Sequence, residues 1–138
     1  MTADASLFAH ADEIPPATVG EVVAIIPKGL RDEVAFFEAL HDRLRLPEWC
    51  GRNFNALDEC LRSEYWKPGG SRVLIVHEDV PLADDPSRAT YLEVLADAMR
   101  EASYPGVPRI RVVFPTTSRA EIERLCRIDP GGAFPPRP

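Results

Sequence analysis

The feature that most limits what this chain can fold into is a repeated change of hydrophobic period. Short unbroken β-branched runs give way to apolar residues at helical spacing and then return. Val22, Val23, Ala24, Ile25 and Ile26 make the first run, closed by Pro27, Lys28 and Gly29. Val73, Leu74, Ile75 and Val76 make a second; Ile110, Val112, Val113 and Phe114, interrupted only by Arg111, make a third. Runs of this kind suit strands buried on both faces, the usual condition of a parallel sheet. Between them Val34, Phe37, Leu40 and Leu44 recur at helical spacing, as do Tyr91, Val94, Leu95, Ala98 and Met99. The alternation predicts an α/β domain in which a small three-stranded parallel sheet is packed with helices.

Punctuation residues set the boundaries. The first long helix is expected over 31–45, with Pro47 stopping it. Residues 46–52 form a loop by their Pro and Gly, and Asn53 is a good N-cap for a second helix running to about Ser63. On that helix Phe54, Leu57, Cys60 and Leu61 share one side, while Asn55, Asp58, Glu59 and Arg62 share the other, a mainly acidic outer face. Asp85 followed by Pro86 should open a third helix that ends near Tyr104, Pro105 and Gly106. Ser118 with Glu121 predicts a capping box and a short C-terminal helix to about Arg127. The 138 residues suffice for one core. The chain therefore divides into a flexible N-terminal extension (1–20), a single folded domain (21–117), and a C-terminal extension (118–138) with a short helix and a Gly/Pro-rich tail.

Charge narrows the partners. A formal charge of −6 argues against a chain that wraps phosphate backbones, which needs a basic face. It would instead steer in a basic protein. Cys50, Cys60 and Cys126 are odd in number, lack CxxC spacing and fall in core-like segments, so they are expected to be reduced thiols of a cytoplasmic protein. Neither a signal segment nor a run of about 18 apolar residues is present, so no membrane is implied. The sequence offers no phosphate loop, metal-ligand cluster or nucleophile elbow, and it implies no enzyme activity, cofactor or metal. His41 lies on the apolar side of its helix as a core-edge residue. His77, Glu78 and Asp79 at a strand end point in different directions and make a poor catalytic site.

The segment Leu46, Pro47, Glu48, Trp49, Cys50, Gly51, Arg52, Asn53, Phe54, Asn55, Ala56, Leu57, Asp58, Glu59, Cys60, Leu61 resembles the signature of the barstar family, intracellular inhibitors of barnase-type ribonucleases. The likeness extends from about Val22 to Phe114, because the order of strands and helices is also the family's. It implies a protein that plugs a basic ribonuclease's active site with this loop and helix, carboxylates standing in for substrate phosphates. By position, Trp49 replaces a contacting Tyr, Gly51 and Asn53 match identical residues, and Phe54 replaces a Leu. Glu59 falls where the family's dominant Asp sits, and Glu101 where another helix contributes a Glu. Trp66 corresponds to a Trp just after the helix, with two extra residues intervening.

Two positions depart from the pattern. Asn55 stands where the family has an Asp, and Asp58 where it has a Trp, so one carboxylate has moved by about a turn. A neutral amide does not pair a guanidinium as a carboxylate does. The partner is thus either a barnase-type ribonuclease or, as the alternative, a different toxin nuclease or a non-nuclease protein bound by a barstar-fold immunity module. Composition alone reads Asp58 and Glu59 as a solvated face, and Trp49 equally as a lid on the core or an exposed anchor. The resemblance assigns all three to the partner. Glu101, in the last turn of its helix, opposes the macrodipole by roughly 0.3–1 kcal/mol, a mild misplacement that also points to function. The chain is expected to act as a monomer.

Overall fold

In a computed structural model, which describes residues 4–83, 86–102 and 106–127, the three predicted runs form strands β2 (Glu21–Ile26), β3 (Arg72–His77) and β4 (Arg109–Phe114). They pair in parallel, Val22 opposite Val73 and Val73 opposite Ile110. A two-residue strand, β1 (Ala9–His10), adds a fourth member beside β4, giving the order β1-β4-β3-β2. The expectation of three strands is corrected here. Two residues carry no period that sequence reading can detect, and what recruits them is Phe8, buried edge-on against Phe114 at 5.6 Å.

The helices are α1 (Glu33–Arg43), α2 (Phe54–Leu61), α3 (Arg88–Glu101) and α4 (Arg119–Cys126), with short 3₁₀ turns at Ala5–Leu7 and Thr116–Ser118. From β2 to β4 the chain always steps to the next strand in one direction, and right-handed crossovers then put the intervening helices on one face. The buried residues obey this. Ala24, Ile26, Val73, Ile75, Ile110, Val112 and Phe114 join the buried residues of all four helices in one cluster. Among the described residues, the apolar cluster on the other face is small: Leu74, Val76 and Val113, with Ile25 and Ala11 against them. The chain between β1 and β2 crosses this face, where the Arg111 guanidinium donates to the Pro16 carbonyl at 3.2 Å.

Several local expectations shift. Val34 is 71% exposed, and Phe36, two residues on and about half a circuit round the helix, is fully buried instead, stacked edge-on with Tyr91 at 4.8 Å. Asp32 rather than Arg31 opens α1, its carboxylate accepting from the Ala35 N–H at 2.9 Å. Ser87 precedes α3; Asp85, the expected cap, lies outside the described residues, as do Asp84, Tyr104, Pro105 and the tail beyond Asp129. The capping box before α4 does not form: Ser118 donates to the Pro115 carbonyl at 2.7 Å, and Glu121 is taken by Arg88. That ion pair joins α4 to the start of α3, and Arg88 also donates to the carbonyls of Val80 and Pro81.

One polar group sits at the centre of the core. His77 is 2% exposed and stacks on Phe114 at 4.2 Å. Its Nδ1 lies 3.1 Å from the Val113 carbonyl, which can only accept, so Nδ1 carries the proton. Nε2 then accepts from the Tyr91 hydroxyl at 2.6 Å. The neutral ring is fully satisfied, and burial pulls its pKa down to about 4. In the unfolded chain the imidazole titrates near the ordinary value of about 6.5. Below that pH the unfolded chain takes up a proton that the native state refuses. The contribution is therefore complete above pH 6.5 and is lost as pH falls toward 4, by about 3 kcal/mol. Urea denaturation at stepped pH should show this loss. His77→Leu should lower stability at pH 7, by stranding the Tyr91 hydroxyl, and flatten the slope between pH 6.5 and 4.5; an unchanged slope would refute the assignment.

Candidate functional site

The loop and helix singled out by sequence are placed by the end of α1. Arg45 takes a left-handed backbone (φ 51), and the Leu46 N–H turns back to the His41 carbonyl at 3.1 Å. This is the Schellman closure of a helix, made here without the usual glycine, and it aims the chain into the 46–53 loop. Leu46 is buried; Trp49 is 64% exposed. At Gly51 a Cβ would meet Ala56 and Asn53 at 3.2 and 3.3 Å, so the missing side chain lets the loop lie close on the start of α2. Asn53 caps that helix as expected, its side-chain oxygen accepting from the Ala56 N–H at 2.8 Å. Cys50 is buried under the loop, its thiol 3.7 Å from the Ala56 carbonyl.

Of the nine residues marked by sequence, Trp49, Gly51, Asn53, Asn55 and Glu59 are exposed along the loop and the outer side of α2, and Glu101 is half-buried at the end of α3. Three others face inward. Phe54 packs on Phe37 at 5.1 Å and Phe36 at 5.9 Å, filling the joint between α1 and α2. Trp66 has no exposed surface, and its indole N–H donates to the Leu44 carbonyl at 2.6 Å.

Asp58 corrects the expected acidic outer face. It is 5% exposed and lies toward α3, where the Arg62 guanidinium donates to it at 2.8 Å. The periodicity put Asp58 near the edge of the outer arc, and α3 packs over that edge. Arg62 is the residue the site reading missed. The charges of Glu101 and Asp97 on α3 act on it electrostatically and, with the bonded Asp58, favour its charged form against the cost of its burial. The i,i+4 spacing of Asp58 and Arg62 was a visible signal, which describes a pair on one helix and not a bridge to a second. The outward charge of α2 is therefore Glu59 alone, with Asn55 one turn before it.

Burial raises the Cys50 thiol and pushes Cys60 up to about 12, so both are protonated, unreactive core residues. Among the described residues no three His, Cys, Asp or Glu side chains are grouped to hold a metal ion, and no helix is long and apolar enough to cross a membrane. The exposed side of the loop and α2 presents the Trp49 ring, the Asn53 cap and two carboxylates, Glu48 in the loop and Glu59 on the helix.

Comparison with known proteins agrees with this picture. A family model described as "Barstar (barnase inhibitor)" matches residues 21–114, from β2 to the end of β4. No curated protein and no solved structure matches the chain.

The Trp66 indole satisfies a carbonyl at the end of α1 from a position just past the end of α2, so it closes the intervening segment at its base. Trp66→Phe keeps an aromatic ring but leaves the Leu44 oxygen buried without its donor. The expected cost is about 1–3 kcal/mol in urea denaturation. Hydrogen exchange should rise first at amides of the 46–53 loop and α2. A cost spread evenly over the sheet would mean that Trp66 is ordinary core filling.

Proposed function

The chain belongs to the barstar family, and from that premise we propose that it inhibits a ribonuclease by seating the 46–53 loop and the exposed side of α2 in the enzyme's active site. The observation that carries this reading is the pairing of an exposed Trp49 with the outward Glu59 on a loop and helix held at both ends. A ribonuclease gathers Arg, Lys and His to grip RNA phosphates, and a fixed carboxylate enters that field as the phosphate does. In this role Trp49 is the aromatic anchor. Glu59 meets the cationic centre, and Gly51, Asn53 and Asn55 line the contact between them. Glu101 supplies a second carboxylate from α3. Phe54, Asp58 and Trp66 act from beneath, by holding the surface in place. The inhibitor needs no cofactor and performs no reaction, and its charge of −6 speeds the encounter with a basic enzyme.

The inward turn of Asp58 favours a cognate enzyme other than barnase. With Asn55 neutral and Asp58 committed to Arg62, α2 offers one outward carboxylate. A barnase-like centre that pairs two carboxylates from this one helix would find only one of them there. A toxin nuclease with a less cationic centre fits this surface better.

Titration into ribonuclease assays, with barnase as one enzyme of the set, tests the proposal; failure to inhibit any member would overturn it. Glu59→Ala should weaken binding to an inhibited enzyme by about 2–5 kcal/mol, mainly through faster dissociation, because truncation leaves the partner's cation buried and unpaired. The barnase–barstar pair is among the systems that define this range, so it is carried over from relatives. Surface plasmon resonance separates the two rates, and binding like the parent would show that α2 is not the plug. Asn55→Asp should tighten binding to barnase by about tenfold, about 1.4 kcal/mol, by restoring a carboxylate. Unchanged or weaker binding would remove the explanation given for the departure.

A further inference from the structure

Away from the loop and α2, the amino ends of the strands gather positive charge on an otherwise acidic chain. Parallel register puts the Cα atoms of Arg72 and Arg109 directly opposite each other, and Arg111 follows two residues along β4 on the same face. Like charges facing each other across a strand pair are destabilising. Arg111 has its counter-ion: it grips the buried Glu21 carboxylate with Nε at 2.8 Å and Nη2 at 2.6 Å. The guanidiniums of Arg72 and Arg109 have no hydrogen-bond or ion-pair partner among the described residues; the backbone N–H groups of these two donate to the Gly20 and Ser71 carbonyls.

Arg72, Arg109, Arg111 and Glu21 all line one cavity of about 380 Å³, whose remaining wall includes Met99, Ala102 and Ile110. Three arginines against one carboxylate leave the cavity with two uncompensated positive charges. Its volume falls in the range of small-molecule sites, about 300–1,000 Å³. Guanidinium forks match phosphate oxygens two at a time, and the apolar wall accepts carbon rather than more charge. We propose that this cavity binds a small phosphate monoester, its phosphate held between Arg72 and Arg109 and its organic group against Met99, Ala102 and Ile110. Glu21, already neutralised by Arg111, fixes that arginine at the rim instead of competing for the two free ones. None of the cavity's residues is among those assigned to the ribonuclease interface, although Met99 and Ala102 flank Glu101 at the end of α3.

Nitrogen-15 heteronuclear NMR of the full chain, titrated separately with inorganic phosphate and phenyl phosphate, tests this. Phenyl phosphate should shift the amides around Arg72, Arg109 and Met99 saturably and bind at least tenfold more tightly than inorganic phosphate. Arg72→Gln with Arg109→Gln should lower that affinity at least tenfold. Arg109→Gln alone, at an exposed position, repeats the test with little risk to the fold. Unsaturated shifts, shifts reproduced by sodium chloride at equal ionic strength, or equal affinity in the double variant would overturn the site. Equal binding of the two phosphates would overturn the assignment to a monoester. Tight binding of an RNA oligonucleotide with none of phenyl phosphate would replace it with a nucleic-acid surface.

Discussion

The hydrogen bond from the Trp66 indole to the Leu44 carbonyl is the contact on which the geometry of the 46–65 segment depends. A helix end leaves carbonyls without partners inside the helix, and burying one unpaired is expensive. Here the donor comes from beyond the next helix, so capping α1 and closing the 46–65 segment are one event. With Arg45 turning the chain out of α1 and Asn53 starting α2, the segment is defined at its exit, at its turn and at its base. A surface defined in this way loses little conformational freedom on binding, and affinity gains from ordering that is already complete.

The same economy governs charge. Asp58 and Arg62 could have formed an exposed i,i+4 pair, which contributes little to stability. Tilted toward α3, they join Asp97 and Glu101 around one guanidinium, so two helices are registered against each other by charge as well as by apolar contact. The outer face of α2 is left with the Glu59 carboxylate undivided. A surface with several mutually paired charges would present less net field to a cationic partner than one isolated carboxylate on a rigid base.

What could be read from the sequence follows the strength of each local signal. Strands β2, β3 and β4 announced themselves by continuous β-branched runs, and α2 by an Asn cap followed by a clean apolar side. The family resemblance of residues 46–61 was legible because it rests on residue identities and not on period. The failures have particular causes. Phe36 and Val34 differ by about half a helical circuit in direction, and nothing within α1 says which arc the sheet will cover. Strand β1 is too short for any period, and its place beside β4 comes from Phe8 finding Phe114 more than a hundred residues away. Asp58 was misplaced because amphipathicity describes a helix with one neighbour, whereas α2 has one on each side: Phe54 against α1 and Asp58 toward α3.

The relative position of Glu59 and Glu101 is therefore set by a chain of buried links and not by either helix alone. Glu101 rides on α3, and α3 is tied to the central strands where the Tyr91 hydroxyl meets His77, whose other nitrogen holds the Val113 carbonyl of β4. Glu59 rides on α2, which leans on α1 through Phe54 and on α3 through Arg62. Interiors packed to crystal-like density transmit small displacements instead of absorbing them. A change at His77 should thus reach the spacing of the two carboxylates without touching either of them directly. In this fold the relative placement of the exposed side of α2 and the end of α3 is tied to a neutral histidine in the middle of the core.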